Sequence, residues 1–330
     1  MKTIAIMQPH LFPWFGYFEI VRNSDIFVFL DDIRFPHRSY VNRVKFCFEN
    51  KIDWLSLPIE RRNNQTIINT KLFKKEKNFK LLKKKIDGLI FCTQTPNRFI
   101  PSNSSILHGI LKLRESCFTL DISHGCSGYI YGLTIAKKLL ENNTCKNILL
   151  INSDTYSKII NPKDRMTKVI FSDAASVTHL QKSKKINIFT SAFGSSGENF
   201  NKLTLEKGGF ESRSKKNSLN MDGMGIMSFV NSKVPDQITN LLKKNKLLKR
   251  NIKFFIFHQA SKIAIDSLVR ILELDKKKVI YDLKDGNTVS ASIPIALKKI
   301  IENKKLKRGD LILLSGFGVG LSWATALIRY

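Results

Sequence analysis

The stretch DISHGCSGYIYGLTIAKKLL, residues 121–140, decides how the larger part of this chain is expected to fold. It ends an apolar run, passes through a cysteine with glycines close by and continues with apolar residues at helical spacing. The pattern predicts a strand, a tight elbow and a helix over 126–142. Cys126 then lies in the first helical turn, where free backbone N–H groups and the helix dipole favour a thiolate. The alternative is a buried cysteine that packs as a small hydrophobic residue.

Strand and helix patterns alternate on both sides of this elbow. The predicted strands are DGLIFCT (87–93), CFTLDIS (117–123), KNILLINSD (146–154), KFFIFH (253–258), VIYDL (279–283), DLILLSG (310–316) and SWATALIRY (322–330). Predicted helices cover 102–115, 126–142, 234–248, 260–273 and 289–303, and a turn-rich region extends to about 220. Such alternation predicts a layered α/β fold with its reactive loops at the carboxyl ends of the strands.

The composition is that of a folded chain with a basic surface. Its 330 residues, 43% of them apolar, suffice for two core-forming units or one large doubled α/β unit. The net charge of +28 comes largely from lysine. These lysines are typical of solvated helix faces, and they would also attract an acidic partner such as nucleic acid, anionic lipid or an acidic carrier protein.

The amino-terminal residues and the cysteine spacing indicate the compartment and the kinds of site to expect. The first residues lack the apolar core of a signal peptide, and no apolar run approaches the ~18 residues of a membrane span, so we expect a cytoplasmic protein. The five cysteines show no zinc-like pairing. The sequence therefore predicts neither a disulfide framework nor a metal site.

Two further polar residues are expected near Cys126. His258 ends the strand KFFIFH, and Asn287 follows Gly286 after the run VIYDL. Taken singly, His258 is more simply explained as a structural histidine and Asn287 as a turn asparagine. Together with Cys126 they occupy the carboxyl ends of strands in one predicted sheet, so that they can converge on one cleft.

A glycine-rich segment completes the candidate site. SGFGVGLSW, residues 315–323, lies between two apolar strands. It predicts either a simple tight hairpin or a turn whose backbone N–H groups, with that of Cys126, face a developing oxyanion.

From about residue 86 to 330 the chain resembles β-ketoacyl-acyl-carrier-protein synthase III, a thiolase-fold condensing enzyme. The resemblance is carried by IDGLIFCTQTP, DISHGCSGYIYGL, NPKDR, IFHQAS, GNTVSASIPIAL and SGFGVGLSWATALIRY. It implies that Cys126 accepts the acyl group and that His258 and Asn287 serve the condensation. It also implies that Arg165 contacts coenzyme A or the carrier arm, and that the Val319 amide is the oxyanion partner of Cys126.

The resemblance further implies a reaction and its partners. Acyl-CoA and malonyl-acyl carrier protein are the expected substrates of an acyltransferase in fatty-acid or surface-glycan acyl synthesis, with no permanently bound cofactor and no metal. We expect an acyl carrier protein as partner and a homodimer. No base-stacking or recognition-helix pattern supports nucleic-acid binding. Ser261 and Ile263 stand where better-known members carry Asn and Arg, which bears on carrier contacts.

Residues 1 to about 80 resemble the start of the WbqC-like family, which is associated with bacterial surface-polysaccharide gene clusters. The carrying segments are MKTIAIMQPHLFPWFGYFEIV, IFVFLDDIRFPHRSYVNRVK and DWLSLPI. Within them TIAIM and DIFVFLDD predict buried strands. A polar cluster after the second strand is a candidate anion or sugar site, or else a surface salt-bridge network; its members are Asp31, Asp32, Arg38, Asn42 and Arg43.

The two resemblances predict the domain organisation. We expect a WbqC-like α/β fragment over 1–80, followed by a thiolase-like layered α-β-α domain over 81–330 whose amino-terminal half is incomplete. A gene fusion or deletion would account for this arrangement. We expect an acyltransferase, multifunctional if the first part is active too; the alternative is a non-catalytic fusion remnant that acts as a binding or scaffolding protein.

Overall fold

The computed structural model describes residues 4–7, 26–29, 43–48, 51–56, 85–161, 163–182, 187–205 and 219–330. The chain divides into two compact units, Met1–Leu82 and Lys83–Tyr330. The assignment of a WbqC-like domain to residues 1–80 and a thiolase-like domain to residues 81–330 stays a prediction.

The first unit contains two strand pairs among its described residues. β1 (Ile4–Met7) runs parallel to β2 (Ile26–Phe29), and both are the short apolar runs from which strands were predicted. β3 (Arg43–Phe48) and β4 (Lys51–Ser56) form an antiparallel pair. The predicted polar cluster falls outside the described residues at Asp31, Asp32, Arg38 and Asn42, and of Arg43 the structure describes only the backbone, at the start of β3.

The second unit carries the alternating elements. Its strands are β5 (Gly88–Cys92), β6 (Phe118–Ile122), β7 (Asn147–Asp154), β8 (Ala174–Gln181), β9 (Asn187–Ser195), β10 (Leu203–Leu205), β11 (Leu219–Met221), β12 (Ile252–Phe257), β13 (Leu311–Gly318) and β14 (Ser322–Arg329). Its helices are α1 (Asn103–Leu111), α2 (Gly128–Glu141), α3 (Arg165–Lys168), α4 (Gly223–Lys244), α5 (Lys262–Ile271) and α6 (Ser292–Glu302).

Two four-stranded sheets organise this unit. The first has the order β6-β5-β7-β8, with β5 parallel to both β6 and β7 and β8 antiparallel to β7. The second has the order β12-β13-β14-β9, in which the β13–β14 pair is the hairpin expected from the glycine-rich segment. β10 and β11 form a separate antiparallel pair.

Helices α2 and α6 lie between the two sheets. α2 buries its apolar stripe, including Ile130 and Leu133, against β5 and β7 on one side and β13 and β14 on the other. A helix between two sheets must be apolar nearly all round. Its small residues let the neighbouring strands pack closely: at Gly132 the Leu150 side chain lies directly on the helix backbone.

The outer faces of the sheets carry the remaining helices. α1 covers β5 and β6. α4 and α5 pack on the second sheet in a separate core that includes Val234, Ile238, Phe255, Leu268 and Leu313. The resulting order is helix, sheet, helices, sheet, helices, a layered α/β architecture as predicted.

Asp87 fixes the beginning of the first sheet. Its carboxylate accepts the backbone N–H groups of Lys146 at 2.9 Å and of Asn147 at 2.7 Å, and forms an ion pair with Arg114 at 3.0 Å. Its backbone N–H donates to the Asn147 carbonyl, and its own carbonyl accepts the Phe118 N–H. One residue thereby ties β5 to the starts of both neighbouring strands.

Three predicted features differ from the structure. β9 was not predicted, because its polar and small residues NIFTSAFGS acquire strand structure by pairing with β14. The run VIYDL is not a strand: Val279 forms a single bridge to Phe255, and the chain then turns where the Gln259 side-chain oxygen accepts the Asp282 N–H at 2.6 Å. α4 begins at Gly223 rather than 234, because Asp222 caps its first turn.

The fold generates a prediction at Gly316, where β13 touches the turn that carries Cys126. A Cβ at Gly316 would lie 2.5 Å from the Cys126 carbonyl oxygen and 2.8 Å from Ser127 Cα. Because the obstacle is backbone, we expect Gly316→Ala to lower the free energy of unfolding by about 1–3 kcal/mol.

The matched control is Gly109→Ala in α1, where a Cβ meets nothing within 4 Å. This variant is expected to be neutral or up to about 1 kcal/mol more stable, since alanine has the higher helix propensity. Urea unfolding followed by circular dichroism measures both. Equal stability of the two variants would contradict the close approach of β13 to the Cys126 turn.

Candidate active site

One cavity in the second unit brings the three predicted residues together. It has a volume of about 140 Å³ and is lined by Cys126, His258 and Asn287. Most of its other lining residues are apolar, among them Phe171, Leu203, Met227, Val230 and Phe317. The predicted convergence is observed, but not within one sheet. Cys126 follows β6 of the first sheet, whereas His258 directly follows β12 of the second.

Cys126 lies in the tight turn between β6 and α2. The turn is closed by a hydrogen bond from the Gly128 N–H to the Gly125 carbonyl at 2.8 Å. The thiol is buried and lies against Gly318, and the backbone amides of Val319 and of Cys126 itself hydrogen-bond to its sulfur. Both amides therefore lie beside the sulfur, and their role as an oxyanion hole stays a prediction.

The charge state of the thiol differs from the expectation. Burial, followed by the nearby Asp154 carboxylate, raises the pKa of Cys126 to about 12, against the lowering effect of the two amides. The predicted preference for a resting thiolate is therefore wrong. The helix terminus and its amides are present, but desolvation is the larger effect in so enclosed a position.

His258 is completely enclosed and electrically neutral. Its backbone N–H donates to the Ser315 carbonyl at 2.7 Å, which fixes the residue against β13, and its ring meets Phe317 edge-on at 5.8 Å between centroids. Burial lowers the pKa of His258 to about 3. The imidazole therefore carries no charge in the neutral pH range.

Ser292, at the first residue of α6, is the hydrogen-bond partner of the His258 ring. Its Oγ lies 2.7 Å from Nδ1 of His258 and accepts the Gln259 N–H at 3.4 Å. A serine hydroxyl that donates to Nδ1 leaves the ring proton on Nε2, which is the tautomer that could donate into the cavity. Sequence reasoning missed Ser292, because nothing in its neighbourhood indicates a partner 34 residues away.

Asn287 is held by backbone contacts on both sides. It forms a bridge to Phe171: its N–H donates to the Ile170 carbonyl, and its carbonyl accepts the Ser172 N–H. It therefore sits in a loop beside another loop, not at the end of a strand as predicted. Its side-chain oxygen accepts the Val289 N–H at 2.9 Å, which leaves the amide NH₂ as the group available in the cavity.

Asp154, at the end of β7, anchors the Asn287 loop to the first sheet. Its carboxylate accepts the Ser290 hydroxyl at 2.5 Å and the Ser290 N–H at 3.3 Å. The other carboxylate oxygen accepts the Gln94 N–H at 2.8 Å and the Thr93 hydroxyl at 3.2 Å. Val289, next to Ser290, has a positive φ of 52°, a conformation that a β-branched residue adopts only when its surroundings impose it.

The remaining predicted residues lie at the margin of the cavity. Arg165 is exposed at the start of α3 and is not part of the cavity lining, although Ile170 and Phe171, shortly after this helix, are. Ser261 lines the cavity, whereas the Ile263 side chain is 75% exposed.

Comparison with known proteins agrees with this geometry. The profile of 3-oxoacyl-[acyl-carrier-protein] synthase III matches residues 120–197, and the profile of its C-terminal part matches residues 242–330. The β-ketoacyl-[acyl-carrier-protein] synthase III of Coxiella burnetii is 33% identical over 245 residues, which cover 74% of this chain and 76% of the relative. That of Clostridium tetani is 34% identical over 260 residues, with coverages of 74% and 78%.

The chain belongs to the 3-oxoacyl-[acyl-carrier-protein] synthase III family. The crystal structure of the family member from Aquifex aeolicus superimposes with a TM-score of 0.70 at 31% identity, covering 75% of this chain and 78% of that one. The predictions of a thiolase-like fold and of an acyltransferase of this type are confirmed.

The amino-terminal resemblance is confirmed as well. The profile of the WbqC-like protein family matches residues 8–94, which extends past the expected end near 80 and into β5. In the described part of the chain, no helix is long and apolar enough to cross a membrane. The same residues contain no group of three or more His, Cys, Asp or Glu placed to hold a metal ion.

The protonation of Cys126 generates a prediction about its reactivity. Because burial raises the pKa of the thiol to about 12, we expect its alkylation by iodoacetamide to keep accelerating with pH beyond the ordinary cysteine pKa of about 8.5. Peptide mass spectrometry of the folded protein, with Cys126→Ser to identify the site, gives the rate. A rate that levels off near or below the ordinary pKa would show that the thiolate is stabilised.

Proposed function

We propose that the chain catalyses acyl transfer from acyl-CoA to Cys126, followed by decarboxylative condensation with malonyl-acyl carrier protein, in fatty-acid or surface-polysaccharide-linked acyl synthesis. The observation that carries this proposal is the shared cavity. A thiol, an imidazole and a carboxamide meet in one largely apolar cavity, and burial favours the neutral forms of the thiol and the imidazole.

In the first step the Cys126 sulfur attacks the thioester carbonyl. The oxyanion that forms is stabilised by the amides of Cys126 and Val319, which already hydrogen-bond to the sulfur position. The carbon–sulfur bond to coenzyme A breaks, and coenzyme A leaves as a thiol with the proton that Cys126 gives up. The helix terminus of α2 assists because it stabilises the transient negative charge on sulfur.

In the second step the malonyl thioester loses carbon dioxide. The electron pair of the broken carbon–carbon bond moves into an enolate, whose oxygen accepts hydrogen bonds from Nε2 of His258 and the NH₂ of Asn287. The enolate carbon then attacks the acyl carbonyl on Cys126 and expels the cysteine as a thiolate, which regains a proton. The product is a 3-oxoacyl thioester, and no resident cofactor takes part.

The surroundings of the cavity suit a carrier-bound substrate. Arg165 and Lys168 are exposed on α3, just before Ile170 and Phe171 of the cavity lining. Positive charge at this place supports docking of the acidic carrier protein and of coenzyme A phosphates. We extend the proposal to a cytoplasmic homodimer, as the resemblance implies.

An acylation assay tests the first step. Incubation with radiolabelled acetyl-CoA is expected to label the wild-type chain and not Cys126→Ala, while Cys92→Ala, which removes another buried thiol, keeps the label. A soluble, folded wild-type preparation without label would contradict the proposal and favour the non-catalytic remnant.

Malonyl decarboxylation tests the second step. We expect His258→Ala to reduce the rate by about 10²–10³-fold, because it removes one enolate donor. Ser292→Ala should give a smaller loss, because the tautomer of His258 is then no longer fixed by a hydroxyl. Ser292→Thr should keep activity, because it retains the hydroxyl. Cys126 acylation should remain in all three variants. The rate should show no inflection near the ordinary histidine pKa of about 6.5, because burial lowers the pKa of His258 to about 3.

Unchanged decarboxylation in Ser292→Ala would show that Ser292 does not set the tautomer. An inflection close to the ordinary histidine pKa would show that His258 is not enclosed as described.

A further inference from the structure

We propose that the edge of the second sheet opposite the active site docks the chain onto an anionic lipid bilayer. We call this surface the basic edge and define it as residues 243–251, 271–278 and 302–310, the segments in which α4, α5 and α6 end and which lead toward β12 and β13. The inference goes beyond the proposed function and does not rest on it, because it concerns residues at the other end of the strands from the reacting groups.

The basic edge lies where the strands begin, whereas the candidate active site lies where they end. β12 starts at Ile252 and ends at Phe257, directly before His258. α4 repeats this arrangement, because Gly223 at its first turn lines the cavity and Lys244 is its last residue. A helix of 22 residues is about 33 Å long. A bilayer bound at the basic edge therefore leaves the cavity at the far end of this helix free.

Two lysine side chains hold the segments of the basic edge together. Lys249 Nζ donates to the Leu272 carbonyl at 2.5 Å, which joins the turn before β12 to the end of α5. Lys278 Nζ donates to the carbonyls of Arg250 at 2.9 Å and of Ile252 at 3.0 Å. The third segment is adjacent, because β13, which follows it, pairs in parallel with β12. The three segments therefore form one continuous surface.

Exposed cations dominate this surface. The first two segments present Lys243, Lys244, Lys246, Arg250, Lys276 and Lys277 to solvent. The third segment adds Lys304, Lys305, Lys307 and Arg308, which are exposed as well. The carboxyl ends of the three helices contribute partial negative charge, which the full charges of these side chains outweigh.

The acids of the same segments are fewer, and most of them have local partners. The Asp275 carboxylate accepts the Lys277 N–H at 2.9 Å, and the Asp310 carboxylate accepts the Lys307 N–H at 2.8 Å. Glu302 lies 3.6 Å from Lys298, and Glu273 is the remaining acid. The basic edge therefore presents a net positive charge to solvent.

Two exposed aliphatic side chains lie among the cations. Leu248 is 55% exposed, although Leu247 beside it packs on the core, and Ile271 is 43% exposed. The contact between Lys249 and Leu272 brings the chain next to each of them together. A surface of this kind matches an anionic bilayer, in which headgroups attract the cations and the aliphatic groups enter the boundary of the acyl region.

Nucleic acid fits the basic edge less well than lipid does. Its three segments contain no aromatic residue on which a base could stack. Exposed leucine and isoleucine side chains gain nothing from a phosphate backbone, whereas a bilayer removes them from water. The combination of cations with aliphatic groups therefore favours lipid.

Vesicle sedimentation of the full chain tests the inference. Vesicles of equal parts phosphatidylglycerol and phosphatidylcholine are compared with vesicles of phosphatidylcholine alone, each at low and at physiological salt. We expect the wild-type chain to bind the anionic vesicles and not the zwitterionic ones. Binding should weaken as the salt concentration rises, because counterions screen exposed charges.

A triple variant, Lys243→Gln with Lys276→Gln and Lys277→Gln, locates the binding surface. Each lysine close to an anionic bilayer is worth about fivefold in partitioning, so we expect the triple variant to bind at least tenfold more weakly. The matched control replaces three exposed lysines outside the basic edge and has the same net charge; it combines Lys112→Gln, Lys146→Gln and Lys233→Gln. The control should stay within about twofold of wild type, because charges far from the bilayer are screened.

Leu248→Ala tests the apolar contribution. We expect it to weaken binding to anionic vesicles roughly tenfold, the scale of the few methylene groups that it removes from the bilayer boundary. Val177→Ala is its control, since Val177 on β8 is 61% exposed and lies outside the basic edge. Circular dichroism verifies that each variant is folded.

Four results would overturn the inference. A folded wild-type chain that does not bind anionic vesicles has no lipid-docking surface. Equal weakening in the two triple variants would show that binding follows the net charge of the chain and not the basic edge. Unchanged binding of Leu248→Ala would show that no aliphatic group enters the bilayer. Binding of an RNA oligomer through the basic edge, without binding to vesicles, would assign the surface to nucleic acid.

Discussion

The carboxylate of Asp154 is the contact on which the arrangement of the site depends. It joins the ends of β5 and β7 through Thr93 and Gln94, and it binds both the N–H and the hydroxyl of Ser290. Ser290 belongs to the loop that carries Asn287, so one buried carboxylate holds this loop to the first sheet. The same charge opposes ionisation of Cys126. Geometry and thiol acidity are therefore coupled through one residue.

The absence of formal charge among the reacting groups has a chemical consequence for the proposed reaction. The cavity presents a thiol, a neutral imidazole and a carboxamide within apolar walls. A malonyl carboxylate entering such a space loses hydration, and the described residues that line it include no lysine or arginine, whereas the departing carbon dioxide is neutral. In the proposed reaction such a site would favour the product of decarboxylation over its charged precursor, and donors from His258 and Asn287 would stabilise the enolate oxygen.

Whether a feature of the fold or the site could be predicted from the sequence depends on how far apart in the chain its interacting residues lie. Cys126 in its elbow and His258 at the end of a strand carry local signals, and both were predicted, as was the layered fold. Ser292 and Asp154 act through partners 34 and 136 residues away, so no local pattern reveals them. The charge on Cys126 was predicted wrongly because helix-end effects are visible in sequence, whereas depth of burial is a tertiary property.

Asp87 gives the chain a mechanical property. The residue stands at the start of the second unit and clamps the beginning of β5 to both adjoining strands, with Arg114 closing the ion pair from outside. A displacement of the backbone before residue 87 would have to break these hydrogen bonds before it altered the position of β5. The start of β5 is thus held by residues of its own unit, which makes residue 87 a natural graft point for exchanging the sequence that precedes it.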